Sequence, residues 1–289
     1  MIPADPEIYN SFVSFSAIIL GACVGSFLNV CILRIPEEKN IIWLRSHCTA
    51  CGKTLSAIDL IPILSYLFLF GKCRNCKASI SPRYLFIELI TALLFYIGVV
   101  YFDFNNYPAS SLIFIYFSCI MICIIFIDID HYIIPDRFSF GLMVSGLLLA
   151  SFNSPPLNSN FLYGSLSKLW YMRTLNSLYG LLVGGGVFLL IFYSAELYYS
   201  RKGIEAFGFG DVKLAAGIGA FLGWKLIFLM MFSSFFIGAL LSIPAILFGG
   251  KGLKSQIPFA PAMCIAGILV FLFGENLYSF WSNFGLDYY

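Results

Sequence analysis

Long apolar segments separated by short polar connections make up most of the chain. A membrane-spanning helix needs about 20 consecutive, mostly apolar residues. Eight segments have this character, at residues 12–33, 85–102, 112–127, 138–152, 177–199, 212–222, 226–248 and 260–278. The sixth is short, so we expect it to tilt little, to lie against protein or to borrow residues from the stretch before it. The pattern predicts an all-α polytopic membrane protein with about eight transmembrane helices.

The amino-acid composition supports the same class of protein. Hydrophobic residues make up 60% of the 289 residues and charged residues only 11%, and the mean hydropathy is +0.89. These values exclude a soluble domain of this length.

The basic residues are distributed unevenly between the two sides of the predicted membrane. If residues 34–83 are cytoplasmic and the eight segments alternate in direction, 14 of the 17 Lys and Arg residues lie inside, and only Lys168, Arg173 and Lys225 lie outside. Cytoplasmic loops of membrane proteins carry such an excess. Both termini are then expected outside. The first segment follows Asp5 and Glu7 rather than a basic region, so we expect a retained span and not a cleaved signal peptide.

The long polar segment after the first span contains two Cys-x-x-Cys pairs. The four cysteines are Cys48, Cys51, Cys73 and Cys76. Two such pairs at this separation predict a tetrahedral four-thiolate Zn²⁺ site. Two disulfides are the alternative, but they do not persist in a reducing cytoplasm. A closed four-thiolate shell leaves no open position for catalysis, so the metal is expected to fold the segment.

An apolar stretch lies between the two cysteine pairs, at residues 58–71. It is too short to span a bilayer. We expect an interfacial helix that lies against the membrane surface. The other five cysteines lie in apolar segments, where we expect them to be packing residues.

Two carboxylates mark the ends of apolar segments that are far apart in the chain. Asp128 closes the third segment, and Asp211 opens the sixth within a Gly-Phe-Gly-Asp-Val-Lys stretch at 208–213. A close pair of carboxyl groups shares one proton, and it can therefore provide a general base and a general acid together. Gly208 and Gly210 would allow close approach of backbone, including that of a substrate. We expect Asp128 and Asp211 to meet and to cleave peptides at the membrane surface.

Several other polar residues are supporting candidates with more than one interpretation. Asp130 and His131 are solvated interface residues or, with Asp128, a conceivable metal site. Glu88 is either functional, as ionisable residues within spans often are, or paired with a basic residue such as Arg83. Lys213 and Glu205 flank Asp211 and are expected to support it.

Two further predictions concern local structure. Asp136 is expected to cap the fourth span. Small residues of the first span, Gly21, Ala22, Gly25 and Ser26, are expected to allow close packing of a neighbouring helix. Asn29 is polar at membrane depth and is expected to hydrogen-bond to a partner.

The order of these motifs resembles that of the prepilin peptidases, the bacterial leader peptidases of type IV pilins and type II secretion pseudopilins. The similarity covers nearly the whole chain and includes Gly-Ser-Phe-Leu-Asn-Val at 25–30, both cysteine pairs, Ile-Asp-Ile-Asp-His at 127–131, Ile-Pro-Asp at 134–136, the 208–213 stretch and Ile-Pro-Phe-Ala-Pro at 257–261. One departure is Thr49-Ala50 inside the first cysteine pair, where proline is frequent.

The resemblance implies two activities and their residues. Asp128 and Asp211 match the family's catalytic aspartates, which cleave the basic leader of a prepilin after a glycine on the cytoplasmic side. The cysteine segment is tied to N-methylation of the new N-terminus with S-adenosylmethionine, but no residue is indicated for binding this donor. The implied organisation is a first transmembrane helix at 1–33, a zinc domain at 34–84 and a peptidase core at 85–289. The implied location is the bacterial inner membrane, with no nucleic-acid partner and no indication of the oligomeric state.

Two other function classes compete with a peptidase. A proton-coupled transporter would also contain intramembrane carboxylates and glycine-broken helices. However, these carboxylates lie at one membrane edge, and no internal repeat is apparent. A membrane scaffold that binds partners through the zinc segment is the second alternative, and it leaves Asp128 and Asp211 unexplained.

Overall fold

The computed structural model describes residues 6–41, 43, 45–152, 170–199, 208–247 and 258–286. Within these ranges the regular structure is helical, with two isolated β-bridges, so the all-α prediction is confirmed. The helices are α1 (Pro6–Arg34), α2 (Leu64–Phe68), α3 (Pro82–Tyr101), α4 (Pro108–His131), α5 (Asp136–Leu149), α6 (Trp170–Tyr199), α7 (Phe209–Leu247) and α8 (Ala260–Leu286).

The predicted apolar segments fall mostly within these helices. Among the described residues, five helices are long and apolar enough to cross a membrane, namely α1, α3, α4, α6 and α7, and α8 contains a shorter apolar stretch at Ala260–Gly274. The protein is therefore a multi-pass membrane protein. Several predicted features lie outside the described residues: Asp5, Lys168, Arg201, Lys202, Glu205, Lys251 and Lys254.

The predicted sixth and seventh segments form one helical run, α7, with a break at Gly223. The backbone there has φ 77° and ψ 172°, a left-handed conformation that favours glycine. The Asn176 side chain fills the space that a Cβ at Gly223 would need, and its Oδ1 accepts the N–H of Trp224 (3.4 Å). The break explains why the sixth segment is short.

The chain divides into two compact units, Met1–Cys123 and Ile124–Tyr289. In the first unit α1 packs on α3, as predicted from its small residues. A Cβ at Gly21 would lie 2.7 Å from the Ala92 backbone, and one at Gly25 would lie 2.8 Å from Glu88 Cα. Asn29 Nδ2 donates to the carbonyl of Tyr84 across the same interface (3.2 Å), which confirms the predicted hydrogen bond.

In the second unit α7 contacts α5, α6 and α8. The closest approach is between Gly180 of α6 and Gly219 of α7, where a Cβ on either glycine would collide with the carbonyl oxygen of the other. Gly184 also faces α7, and a Cβ there would lie 2.5 Å from the Ala215 carbonyl oxygen. Small residues thus bring these two helix backbones into contact between Gly180 and Gly184 of α6 and between Ala215 and Gly219 of α7.

Two local predictions were wrong. The stretch at 58–71 is not one helix: a 3₁₀ turn at Ile58–Leu60 and the short α2 are separated by Pro62 and by Ile63, whose φ of 63° a helix cannot contain. Asp136 does not cap α5 either. It is the first helical residue, Pro135 occupies the cap position, and no side chain caps the helix.

Candidate active site and metal centre

Asp128 lies in the last turn of α4 and is 6% exposed. Its carboxylate accepts the backbone N–H of Ala260, the first residue of α8. The first N–H groups of a helix have no partner within the helix, and the helix dipole favours negative charge at this end. This hydrogen bond ties the last turn of α4 to the first turn of α8.

Asp211 occupies the third position of α7 and is half-buried. Its carboxylate accepts the backbone N–H of Gly208, and the Asp211 N–H donates to the Gly208 carbonyl (3.1 Å). The glycines before it have different roles. A Cβ at Gly210 would lie 3.3 Å from Ile134 Cβ, so glycine allows α7 to begin directly against the Ile-Pro-Asp element, whereas a Cβ at Gly208 would make ordinary contact at 3.6 Å from Asp211 Oδ2.

The structure brings Asp128 and Asp211 together. The two carboxyl groups are close enough to interact electrostatically with each other. Both also interact electrostatically with the buried thiol of Cys264 in α8. Three helices thus contribute to one polar site inside the second unit. Two neighbouring carboxyl groups do not readily ionise together, so such a pair favours one carboxylate beside one carboxylic acid. The arrangement can provide a base and an acid at once.

Lys213 and Asp136 connect the two motifs beside this site. Lys213 Nζ forms an ion pair with Asp136 Oδ1 at the start of α5. The same ammonium lies over the rings of Phe140 (5.6 Å) and Phe209 (5.3 Å). Cation–π contacts of this kind hold a lysine in one place. The pair therefore fixes the first turn of α7 relative to the first turn of α5.

The other candidates near Asp128 lie in more open positions. Asp130 and His131 are exposed at the end of α4. In the described part of the chain the one group of cysteine, histidine or acidic residues that could hold a metal ion is the cysteine cluster, so the conceivable site of Asp128, Asp130 and His131 is not formed.

The four predicted metal ligands come together in the first unit. The Sγ atoms of Cys48, Cys51, Cys73 and Cys76 all lie within 4.8 Å of one another, and the Cys48–Cys76 distance is 3.9 Å. A tetrahedral ion with metal–sulfur bonds of about 2.3 Å separates its ligands by about 3.8 Å, so the cluster fits one metal ion. All four are free thiols.

The environment of Cys73 favours the thiolate form that a metal requires. Backbone N–H groups of Cys76 and Asn75 point at its sulfur and lower the pKa of the thiol to about 6.

The two cysteine pairs form the same turn twice. This repeat was not predicted from the sequence. The Cys48 N–H donates to Lys53 and the Gly52 N–H to Cys48, while the Cys73 N–H donates to Ala78 and the Lys77 N–H to Cys73. Gly52 (φ 69°) and Lys77 (φ 59°) hold equivalent left-handed positions. The signal was present in the sequence, since nine residues from each first cysteine read Cys-Thr-Ala-Cys-Gly-Lys-Thr-Leu-Ser and Cys-Arg-Asn-Cys-Lys-Ala-Ser-Ile-Ser.

Glu88 belongs to this first unit and lies at the crossing of α1 and α3, where it is 8% exposed. Its Oε2 accepts the N–H of Ile63 (2.7 Å), and its carboxylate also accepts a hydrogen bond from the side chain of Ser26. These neutral donors hold the carboxylate and tie the segment before α2 to α3.

Two family models match different parts of the chain. Residues 19–102 match the model of the bacterial peptidase A24 N-terminal domain, and residues 115–243 match that of the type IV leader peptidase family. No solved structure matches the chain.

Curated relatives match over most of their length. The prepilin leader peptidase/N-methyltransferase of Bacillus subtilis is 34% identical over 93% of this chain and 97% of its own. Proteins of the same name from Dichelobacter nodosus and Pseudomonas aeruginosa are 32% and 30% identical, over 88% and 90% of this chain and 89% and 90% of their own. The chain therefore belongs to the type IV leader peptidase family.

Proposed function

We propose that this chain is an aspartic endopeptidase that cleaves the leader peptides of type IV prepilins or pseudopilins. The observation that carries the proposal is the meeting of Asp128 and Asp211, which lie on different helices yet interact electrostatically. Membership of the leader peptidase family supports the substrate class.

Asp128 and Asp211 are the proposed catalytic residues. The ionised carboxylate takes a proton from water, whose oxygen then adds to the carbonyl carbon of the scissile peptide bond. The protonated carboxyl group donates its proton to the leaving nitrogen, and the carbon–nitrogen bond breaks. Each cycle consumes one water and returns one shared proton to the pair.

Lys213, Asp136 and Gly210 are proposed as positioning residues. None of them needs to touch the substrate, because they set where the first turn of α7 begins. Gly208 is proposed to leave room for an extended substrate backbone beside Asp211, since its own contacts do not require glycine. Asp130 is proposed as a solvated neighbour of the site, and Glu88 as the residue that holds the cysteine segment to α3.

A second activity, N-methylation of the new N-terminal residue, is proposed for the same chain. The names of the relatives, which include N-methyltransferase, support it. S-adenosylmethionine is the proposed donor and would supply the methyl group. The four cysteines would hold a structural Zn²⁺ that keeps the 34–84 domain folded, between a first transmembrane helix at 1–33 and the peptidase core at 85–289.

The proposed location is the bacterial cytoplasmic membrane. The distribution of Lys and Arg supports a cytoplasmic position for the zinc domain and the aspartates, with both termini outside. The partners are then the lipid bilayer and prepilin or pseudopilin substrates.

The experiment is incubation of the detergent-solubilised protein with a prepilin, followed by mass analysis of the mature N-terminus. Loss of the leader with a methyl added is the expected result for the natural chain. An uncut prepilin is expected for Asp211→Asn, and normal cleavage is expected for Glu196→Gln, a control at an exposed acid on α6. Normal processing by Asp211→Asn would refute the peptidase mechanism.

A further inference from the structure

The segment between the two cysteine pairs carries an exposed apolar surface. Phe70 is 88% exposed, Phe68 78% and Ile58 65%. We call this surface the apolar strip, and its residues are Ile58, Leu60, Ile61, Leu64, Leu67, Phe68 and Phe70. A contiguous stretch of large exposed side chains indicates a binding surface, because water contact with it is unfavourable.

The short helix α2 shows which way the apolar strip faces. Leu64, Leu67 and Phe68 are spaced three and four residues apart, so they share one face of the helix. Tyr66 points the other way: its hydroxyl donates to the Ile80 carbonyl (3.3 Å), and a Cβ at Gly71 would lie 2.8 Å from its oxygen. The apolar strip therefore faces away from the metal-binding turns.

Two contacts hold the apolar strip in place. At its start, Asp59 accepts from Arg74 Nε (2.7 Å) and from the Ser56 hydroxyl (2.6 Å), and these hydrogen bonds lower the pKa of its carboxyl group. In its middle, Ile63 adopts a left-handed φ of 63° that is unusual for a β-branched residue, and it donates its N–H to Glu88. The strip is thus attached to the second cysteine turn and to α3.

The Glu88 contact fixes where along α3 the apolar strip is attached. Glu88 lies six residues after Pro82, where α3 begins, or about 9 Å along the helix axis. On α3 beside it, Phe86 and Leu89 are exposed, as expected for a lipid-facing helix. The middle of the strip is therefore attached to the part of α3 that carries these exposed apolar side chains.

The charges of the same module suit an anionic membrane surface. Lys53, Lys72, Arg74 and Lys77 are all exposed in the turns that flank the apolar strip. Basic side chains next to an apolar face are typical of segments that bind anionic lipids at the interface.

We propose that the apolar strip lies in the bilayer interface, with its apolar side chains among the acyl chains and the flanking basic residues at anionic headgroups. The partner is lipid and not protein. This contact would hold the cysteine module at a fixed height on the membrane, and it does not depend on the proposed activities.

The experiment is photolabelling of the full-length protein in nanodiscs of phosphatidylglycerol with a diazirine on the acyl chain. Proteolysis and mass spectrometry then locate the adducts. We expect adducts on the 58–70 peptide and on α3, and none on the exposed first cysteine turn at 47–54, which serves as an internal control. A 58–70 peptide without adducts, in a sample whose α3 peptides are labelled, would overturn the proposal.

Two variants sharpen the result. Phe68→Ser combined with Phe70→Ser should lose most of the adducts on 58–70 and retain those on α3, whereas the control His47→Ser should label as the natural chain does. A labelled peptide that loses its adducts when a prepilin is added would instead identify the strip as a substrate-binding surface. Unchanged labelling of the double serine variant would also contradict the proposal, because the label would then not report the apolar side chains.

Discussion

The cysteine module and the aspartate site are built in opposite ways. The outer cysteines, Cys48 and Cys76, are 28 residues apart, and each pair is held by hydrogen bonds of its own turn. Asp128 and Asp211 are 83 residues apart (211 − 128), and they are held by the ends of different helices. The module therefore depends on local turn chemistry, whereas the aspartate site depends on how helices pack. Substitutions should separate these two dependences.

The largest effect is expected at the aspartates. Asp128→Asn or Asp211→Asn removes the proton donor or acceptor, and leader cleavage should fall about 10³-fold. The cysteine module is untouched, so methylation of a synthetic substrate with a mature N-terminus should continue. Cleavage and methyl transfer are measured on the two substrates in parallel. Loss of both activities in a folded variant would mean that the two regions do not act separately.

The next largest effect is expected at the four predicted metal ligands. There, methyl transfer should fall more than leader cleavage. Removing a side chain that hydrogen-bonds to a metal ligand costs roughly 10- to 100-fold in metal affinity or activity. Cys51→Ser or Cys76→Ser removes a ligand itself, so zinc content and methyl transfer should fall at least about tenfold. Cleavage should fall less. Metal analysis and the two activity assays test this, with Cys23→Ser, an exposed thiol on α1 outside the cluster, as control.

A packing substitution should damage the aspartate site without touching its chemistry. Gly180→Val places a side chain where α6 and α7 are in backbone contact, and overpacking of this kind costs about 1–3 kcal/mol. We expect a lower melting temperature in detergent and reduced cleavage. Gly186→Val is the matched control, because a Cβ at Gly186 meets open space. Equal melting temperatures for the two variants would show that the crossing tolerates the change.

A smaller effect is expected from the Lys213–Asp136 ion pair. Its members are 20% and 61% exposed, so the pair contributes at most about 1 kcal/mol, or about fivefold in cleavage rate. Lys213→Met should lower kcat and leave KM unchanged, because the lysine positions Asp211 and does not bind substrate. The exchange of Lys213→Asp with Asp136→Lys should restore part of the rate. A raised KM with unchanged kcat would indicate substrate binding instead.

The smallest effect concerns the repeated turn of the module. Gly52→Lys forces a side chain into a left-handed conformation and should destabilise the module by about 1 kcal/mol. Lys77→Gly removes such a side chain from the equivalent position, so the effect should be smaller and opposite in sign. The rate of zinc loss to a chelator measures both. If Gly52→Lys and Lys77→Gly changed the rate of zinc loss in the same direction and by the same amount, the two turns would not be equivalent.

The sequence predicted the two regions with different success. The cysteine spacing alone indicated the cluster, because a Cys-x-x-Cys turn carries its own geometry. The helices were predicted from hydropathy, since a bilayer requires long apolar segments. The left-handed backbone of Ile63 and its hydrogen bond to Glu88 could not be predicted, because they arise from the fold. The expectation of one continuous helix at 58–71 was therefore wrong. Asp136 was assigned to a helix cap from its position directly after Pro135. Its pairing with Lys213 could not be predicted, because the two residues lie on helices that are distant in sequence.

The sequence by itself determined the class of protein, the membrane helices and the cluster of four cysteines, because apolar length and short-range spacing are local properties. Tertiary structure decided that the ends of α4, α7 and α8 meet, and that Asp128 receives the first N–H of α8. The approach of α6 and α7 through glycines, together with the break at Gly223, helps place these ends. Such contacts depend on shapes that only packed helices possess.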